Sequence, residues 1–302
     1  MVGIPESQLE VCARQGATVS AVGTYASVRK ALLEVTTSPV RYKDVDVYLQ
    51  GSYRNSTNIR GDSDIDVVVQ LNSTWSRDLS GLSGYEAELY RGAYPNATYL
   101  WHHFREDVLS ALRGYYGREA LSEGNKCLKI AAGTGRLPAD VVVCQTYRKY
   151  ERFYGIHDQS YVEGIKFWDR KDGREVVNFP KAHHDNGAKK NGPGRTGGGY
   201  KPTVRIFKNA RTHLIKRGEI EAGLAPSYFL ECLLYNASDG LFVGTHHQTF
   251  LNILNWLYAV ELSGLWCQNG QTLLFGSPPE QWGLGSAQKL VSALIRLWNG
   301  WS

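Results

Sequence analysis

Hydrophobic and polar positions divide the chain into an alternating half and a helical half. In DVDVYLQ, Val45, Val47 and Leu49 alternate with Asp46, Tyr48 and Gln50, the period of a half-buried strand. DIDVVVQL and LPADVVVCQTY read as two further strands, and GSYRNSTNIRG, rich in Gly, Ser and Asn, reads as a loop. Upstream, to about Leu33, the spacing of Val19, Val22, Ala26 and Arg29/Lys30 predicts a helix. A helical segment from Trp75 to about Gly117 carries Leu89, Tyr99 and Phe104, and after Tyr150 the stretch IKFWDRKDGREVVNF predicts a hairpin turning at Lys171 to Gly173.

The pattern then changes. HHDNGAKKNGPGRTGGGYKP, dense in glycine among lysines, is expected to lack regular structure. TVRIFKNARTHLIKRG predicts a helix with Thr203 as N-cap and Gly218 as its stop. PSYFLECLLYN, QTFLNILNWLYAVELSG and SAQKLVSALIRLWNG continue the helical theme, the last two ending at Gly264 and Gly300. The tryptophans at 256, 266, 282, 298 and 301 are expected to pack these helices. The fold class is therefore α+β, a sheet-bearing lobe over 1–190 followed by a helical lobe over 200–302.

Composition narrows the function. At 302 residues and 42% hydrophobic content the chain can bury a sizeable core in one large domain or two lobes. A net charge of +5 is too small for a nucleic-acid coat and suits small anionic ligands. No apolar run is long enough to span a bilayer, and MVGIPESQLEVCARQG lacks the basic start and apolar core of a signal peptide. The five cysteines are scattered without a CxxC pair, which argues against a zinc site or a disulfide framework. Together these features predict a reduced, cytoplasmic protein, in which the Asn-X-Ser/Thr sequons at Asn55, Asn72, Asn96 and Asn236 carry no meaning.

Residues 50–69, QGSYRNSTNIRGDSDIDVVV, set Asp62, Asp64 and Asp66 at the mouth of a buried strand, where uncompensated charge is costly. Side chains two apart on a strand share a face, so Asp64 and Asp66 project together about 7 Å apart, with Ile65, Val67 and Val69 facing the core. Two such carboxylates repel unless a divalent ion lies between them, and oxygen-only ligands select Mg²⁺ or Mn²⁺. Asp140, opening ADVVVC, supplies a third carboxylate. On adjacent strand ends, these groups can hold two metals about 4 Å apart, the geometry of phosphoryl transfer. Taken alone, an Asp at the start of a strand serves equally well as a solvated turn residue. Upstream, Gly51 permits close backbone approach and Ser52 can meet phosphate oxygens.

GSYRNSTNIRGDSDIDVVV resembles the active-site signature of the nucleotidyltransferase superfamily that includes poly(A) polymerases and oligoadenylate synthases. Within it, the GS…SDxDVVV stretch is similar to that of the cGAS/DncV-like group of bacterial cyclic-oligonucleotide synthases (CD-NTases). ADVVVCQTYRKY resembles that group's third-carboxylate strand, and KPTVRIFKNARTHL with PSYFLECLLYN the opening of its helical lobe. The likeness runs from about Asp46 to Tyr235 and implies a two-lobed fold with NTP bound in the cleft between the lobes. It implies that Asp64, Asp66 and Asp140 hold two Mg²⁺ ions (or Mn²⁺), with Asp140 aiding activation of the attacking hydroxyl. It further implies that Gly51 and Ser52 hold the donor's phosphates, that Lys208 contacts the triphosphate, and that Ser227 and Tyr228 bind phosphate and stack on the base.

The residues themselves leave alternatives. Ser227 stands where a helix should begin, with amide groups that favour phosphate. Tyr228 offers a π-face but by itself reads more readily as a core aromatic. Lys208 shares a cationic helical face with Arg205 and Thr212 but by itself reads more readily as a solvated surface lysine. The glycine-rich stretch 187–199 is no Walker motif; it is either a lid bringing Lys189, Lys190 and Arg195 to phosphates or a disordered surface loop. The pairs His102-His103, His183-His184 and His246-His247 point apart if extended and are expected to be structural or on the surface. No His/Cys cluster like the zinc insertion of the animal cyclic GMP-AMP synthase is present.

The expected function is Mg²⁺-dependent joining of NTPs into a cyclic di- or trinucleotide, with pyrophosphate released. The family implies a second messenger in anti-phage signalling (CBASS), read by a separate effector. Two alternatives are a linear polymerase or RNA-tailing enzyme, and a catalytically silent nucleotide-binding scaffold. The modest charge and the lack of an added RNA-binding segment predict no strong nucleic-acid binding, and membrane association is not expected.

Overall fold

The computed structural model of the chain describes residues 3–61 and 64–301. In chain order its elements are α1 (Glu6–Ala13), α2 (Val19–Leu33), β1 (Val45–Gln50), α3 (Gly51–Asn55), β2 (Ile65–Asp78), α4 (Gly84–Ala93) and α5 (Trp101–Tyr116). There follow β3 (Leu121–Glu123), β4 (Leu128–Ile130), β5 (Ala139–Gly155), β6 (Asp158–Trp168) and β7 (Glu175–Asn178). The chain ends in α6 (Pro180–Asn191), α7 (Tyr200–Lys216), α8 (Ser227–Tyr235), α9 (His246–Ala259) and α10 (Leu284–Asn299). The α+β class expected from the pattern is the class observed.

Two compact units divide the chain differently from the 1–190 and 200–302 expectation. One comprises residues 18–50 and 63–180, the other residues 1–17, 51–62 and 181–302. The predicted N-terminal helix is two helices, α1 and α2, assigned to different units.

The first unit is a sheet of order β1-β2-β5-β4-β3, with β6 on the distal part of β5 and β7 on β6. β2 and β5 run parallel and the other pairings are antiparallel. Val67, Val68 and Val69 are all fully buried, so β2 is covered on both faces and not on the odd-numbered face alone. That is the usual state of a strand with a parallel neighbour and explains the unbroken valine run. β2 also continues to Asp78, through residues expected to be helical. α4 starts at a capping box in which Ser83 Oγ accepts from Glu86 N and Glu86 Oε2 accepts from Ser83 N. On the edge away from β2, β5 has no strand partner between its β4 and β6 registers, and there Trp101 Nε1 donates to Val143 O at 2.7 Å. The predicted hairpin is β6–β7.

The helical unit packs α1, α7, α8, α9 and α10 around one core. α10 buries Ala287, Leu290, Val291, Leu294, Leu297 and Trp298, the stripe predicted from its period. Trp282 and Trp298 are in this core and Trp256 and Trp301 lie against it, whereas Trp266 is half-exposed. α7 starts at Tyr200, so Thr203 is not the N-cap; it lies inside the first turn with Oγ1 bonded to Gly199 O. Gly218, at φ +70, ends the helix as expected.

The glycine-rich stretch is neither a disordered loop nor a lid. Residues 187–191 complete α6, and turns follow to Gly199. Lys190 is buried, donates to Ala237 O (2.7 Å) and Asp239 Oδ1 (2.9 Å), and lies among the rings of Tyr200, Tyr235 and Phe242. Arg195 donates to the same carboxylate at 2.6 Å. Helical hydrogen bonding and a buried ion pair outweigh the disorder that composition suggested. Asp239→Ala, which leaves the buried Lys190 uncompensated, is expected to lower stability by about 2–3 kcal/mol in urea denaturation, and Lys190→Met by much less.

Candidate active site

The sheet unit positions the carboxylates. In the parallel pair, Asp66 of β2 stands directly beside Asp140 of β5, and Asp66 is opposite Gln50 of β1. Asp140 also faces Lys129 of β4. Asp64 is exposed one residue ahead of the strand, while Asp66 and Asp140 are partly exposed. Asp62 lies outside the described residues.

Cys127 reports on this corner. Burial first, then the charge and hydrogen bond of Asp140 and the charge of Asp66, push its thiol up to about 12. With no metal cation beside the carboxylates, the thiol stays protonated near neutral pH. Among the described residues no group of three or more His, Cys, Asp or Glu side chains is already gathered as a metal cage. The oxygen-only donor chemistry of Asp64, Asp66 and Asp140 fits a hard divalent cation.

The helical unit holds the other candidates. GSYRN is the short helix α3 and not loop, and Gly51, at φ +65, enters it in a conformation that a side chain would oppose. Ser52 follows in α3, and its carbonyl accepts from Thr57 N at 2.9 Å. Ser227 is the first residue of α8, as its sequence position predicts, and its Oγ accepts from Arg211 Nη1 at 3.2 Å. Tyr228 is half-buried, stacks on His183 (centroids 5.1 Å apart, planes at 25°) and accepts a hydrogen bond from Asn269 at its hydroxyl.

Lys208 is fully buried, donating to Thr57 O at 3.0 Å, and the expectation of a solvated cationic face on α7 fails. Arg205 is buried as well, donating to the carbonyls of Ala13 and Ser56. Both cations hold the backbone of segments far off in the chain, which sequence spacing does not record.

The sequence reading missed the hub of this unit. Glu231 is buried on α8 and accepts from Thr57 Oγ1 (2.6 Å) and Asn55 Nδ2 (2.9 Å), with His183 Nε2 at 3.1 Å. Burial alone would raise its carboxyl pKa. Hydrogen bonds from His183 and Thr57 and the charges of His183 and Lys208 outweigh that, and hold it below the ordinary value. The available signal was a lone carboxylate inside the apolar run PSYFLECLLYN. His183 is structural, as expected, and also backs Tyr228. His102 and His103 do not point apart; on helix α5 their ring nitrogens are 3.1 Å from each other.

A mixed sheet with two carboxylates in register at parallel strand mouths, on a chain that continues into a helical unit, is the architecture of a nucleotidyltransferase. The family model for the nucleotidyltransferase domain matches residues 30–152. That for the cGAS/DncV-like nucleotidyltransferase C-terminal helical domain matches residues 185–299. The chain belongs to the cGAS/DncV-like nucleotidyltransferases and is an enzyme of that class. It is similar to the cyclic UMP-AMP synthase of Rhodothermus marinus, at 48% identity over 99% of each chain. The cyclic nucleotide synthase CdnE01 of Staphylococcus haemolyticus is 39% identical, also over 99% of each. The solved Rhodothermus marinus CdnE c-UMP-AMP synthase with Apcpp and Upnpp matches at a TM-score of 0.89, covering 99% of this chain and 98% of that one. The Elizabethkingia meningoseptica CdnE cyclic dinucleotide synthase with GTP and Apcpp matches at 0.71 and 27% identity, covering 98% of each. Among the described residues, no helix is long and apolar enough to cross a membrane.

Because the folded-state pKa of Glu231 is depressed, its contribution to stability is present above the unfolded value near 4.5 and is lost as pH falls through the lower folded value. Glu231→Gln should therefore destabilise the protein by about 3 kcal/mol near pH 7 and by progressively less below pH 4.5, as read from urea midpoints across pH.

Proposed function

We propose that this chain joins UTP and ATP into a cyclic dinucleotide, releasing pyrophosphate at each of two steps. The observation that carries this reading is the parallel register of Asp66 with Asp140. The base pair is proposed from the 48% identity to a cyclic UMP-AMP synthase.

In each step a ribose hydroxyl oxygen attacks an α-phosphorus, a P–O bond forms, and the bond to the departing pyrophosphate breaks. Asp64, Asp66 and Asp140 would hold two Mg²⁺ ions, or Mn²⁺, which when bound lower the pKa of the hydroxyl and offset charge on the leaving group. Asp140 accepts or relays the hydroxyl proton. On the helical unit, Gly51 and Ser52 hold donor phosphates, aided by Ser227 at the α8 N-terminus. Tyr228, stacked on His183, is the ring proposed to meet a base, and the buried Lys208 acts from behind, holding Thr57 O and the Glu231 carboxylate. The product would act as a second messenger in the bacterial cytoplasm, in anti-phage signalling (CBASS), read by a separate effector.

Purified protein incubated with α-labelled NTPs and Mg²⁺ or Mn²⁺ should give a phosphatase-resistant product with the mass of cyclic UMP-AMP. Asp66→Asn or Asp140→Asn should lower kcat by at least about a hundredfold, and Tyr228→Ala should raise KM about tenfold. Linear, phosphatase-sensitive chains would replace this reading with that of a polymerase. Protein that binds NTP yet stays inert with either metal would favour the silent scaffold.

A further inference from the structure

The sheet unit contains a cavity of about 1150 Å³ that the reaction above does not use. It exceeds the usual range for small-molecule pockets, about 300–1,000 Å³. Its floor includes Gln145 of β5 and Lys166 of β6, which are register partners. Side chains alternate along a strand, so Asp140, Val142 and Cys144 share one face of β5 and Gln145 takes the other. The floor therefore faces away from Asp66 and Asp140, and the cavity is distinct from the carboxylate corner.

Three observations describe what would fill it. The first is aromatic: Trp101 and Trp168 line it with centroids 4.9 Å apart and planes tilted by 40°, and Trp75 adds a third ring. Flat, offset ring surfaces of this kind accept a planar heterocycle. The second is charge. Arg170 lines the cavity, and Glu123, which it pairs with, also takes Arg105 and Arg113, at 3.0–3.1 Å in all three cases. One carboxylate thus serves three guanidinium groups; Lys166 is paired with Glu175 at 2.6 Å, but Arg77 adds a further cation, so the lining as a whole favours an anion. Asp169, the cavity's own acid, is engaged by Lys171 N at 2.9 Å.

The third is an irregularity in β2. Leu71 pairs with Gln145 and Trp75 with Thr146, so residues 72–74 are inserted without register partners. Thr74 lines the cavity, and its Oγ1 is buried with no hydrogen-bond partner. Such bulges re-aim side chains, and this orphan hydroxyl, sealed from solvent as the bulge now lies, gains a partner only if the bulge shifts as the cavity fills.

We propose that this cavity is a second, regulatory nucleotide site, its rings taking the base of a nucleoside monophosphate and the Lys166–Arg170 rim taking the phosphate. β2 and β5 run from Asp66 and Asp140 to the cavity wall, so occupancy that reshapes the bulge reaches the carboxylates through two strands. This coupling rests on the catalytic assignment above; the binding does not.

Equilibrium dialysis of AMP and UMP against the full chain in EDTA tests the binding apart from any metal-dependent site. The expected result is saturable binding at one site, weakened at least about tenfold by Thr74→Val and by Lys166→Met, and unchanged by Asp66→Asn. Thr74→Val keeps the side-chain shape, so lost binding in a variant with unaltered circular dichroism is not misfolding. Absence of saturable binding at millimolar nucleotide would overturn the proposal. So would binding that Asp66→Asn abolishes and the cavity variants leave intact. For the coupling, AMP or UMP should change the rate of product formation in the wild type and not in Thr74→Val. A response equal in both would overturn the regulatory role.

Discussion

The parallel pairing of β2 with β5 is the constraint on which the sheet unit depends. It sets two carboxylates side by side, an arrangement that repels unless a cation is shared. The register cannot slip to relieve that repulsion. Val67, Val68 and Val69 are buried on both faces of β2, and Val141 and Val143 are buried beside them. A one-residue shift would exchange faces and drive an aspartate toward the core. The apolar pattern thus fixes the charged pair.

The helical unit follows a different rule: several of its long charged side chains are turned inward. Glu231, Lys208, Arg205 and Lys190 are buried, and each is tied to side chains or carbonyls distant in sequence. Charges removed from water are tolerable only when so partnered, and removing one partner costs far more than the pair contributes in isolation. The network through Glu231 draws together Asn55, Thr57, His183 and α8, the helix that carries Ser227 and Tyr228. Positions proposed to touch substrate are therefore held by residues that need not touch it.

The two units expose different parts of the design in sequence. Asp64, Asp66 and Asp140 were legible because a carboxylate beside a valine run violates the apolar pattern. Gly51 and Ser227 were legible because a tight backbone turn and a helix start have local signatures. Glu231 and His183 were not, because their meaning lies in partners between 48 and 176 positions away. Lys208 and Arg205 were misplaced for the same reason: helical spacing shows that they share a face, but not what covers it.

By itself, the sequence determined the α+β class, the strands that carry aspartate, the amphipathic stripes of the late helices and the stops at Gly218 and Gly300. These follow from periods of two and 3.6 and from backbone permissions that act within a few residues. Tertiary structure alone decided that residues 51–61 belong with the helical unit, that the glycine-rich stretch completes a helix, and that Lys208 of α7 is buried. Those outcomes turn on which distant carbonyl or carboxylate meets each side chain. Such pairing is a property of packing, which no local pattern encodes.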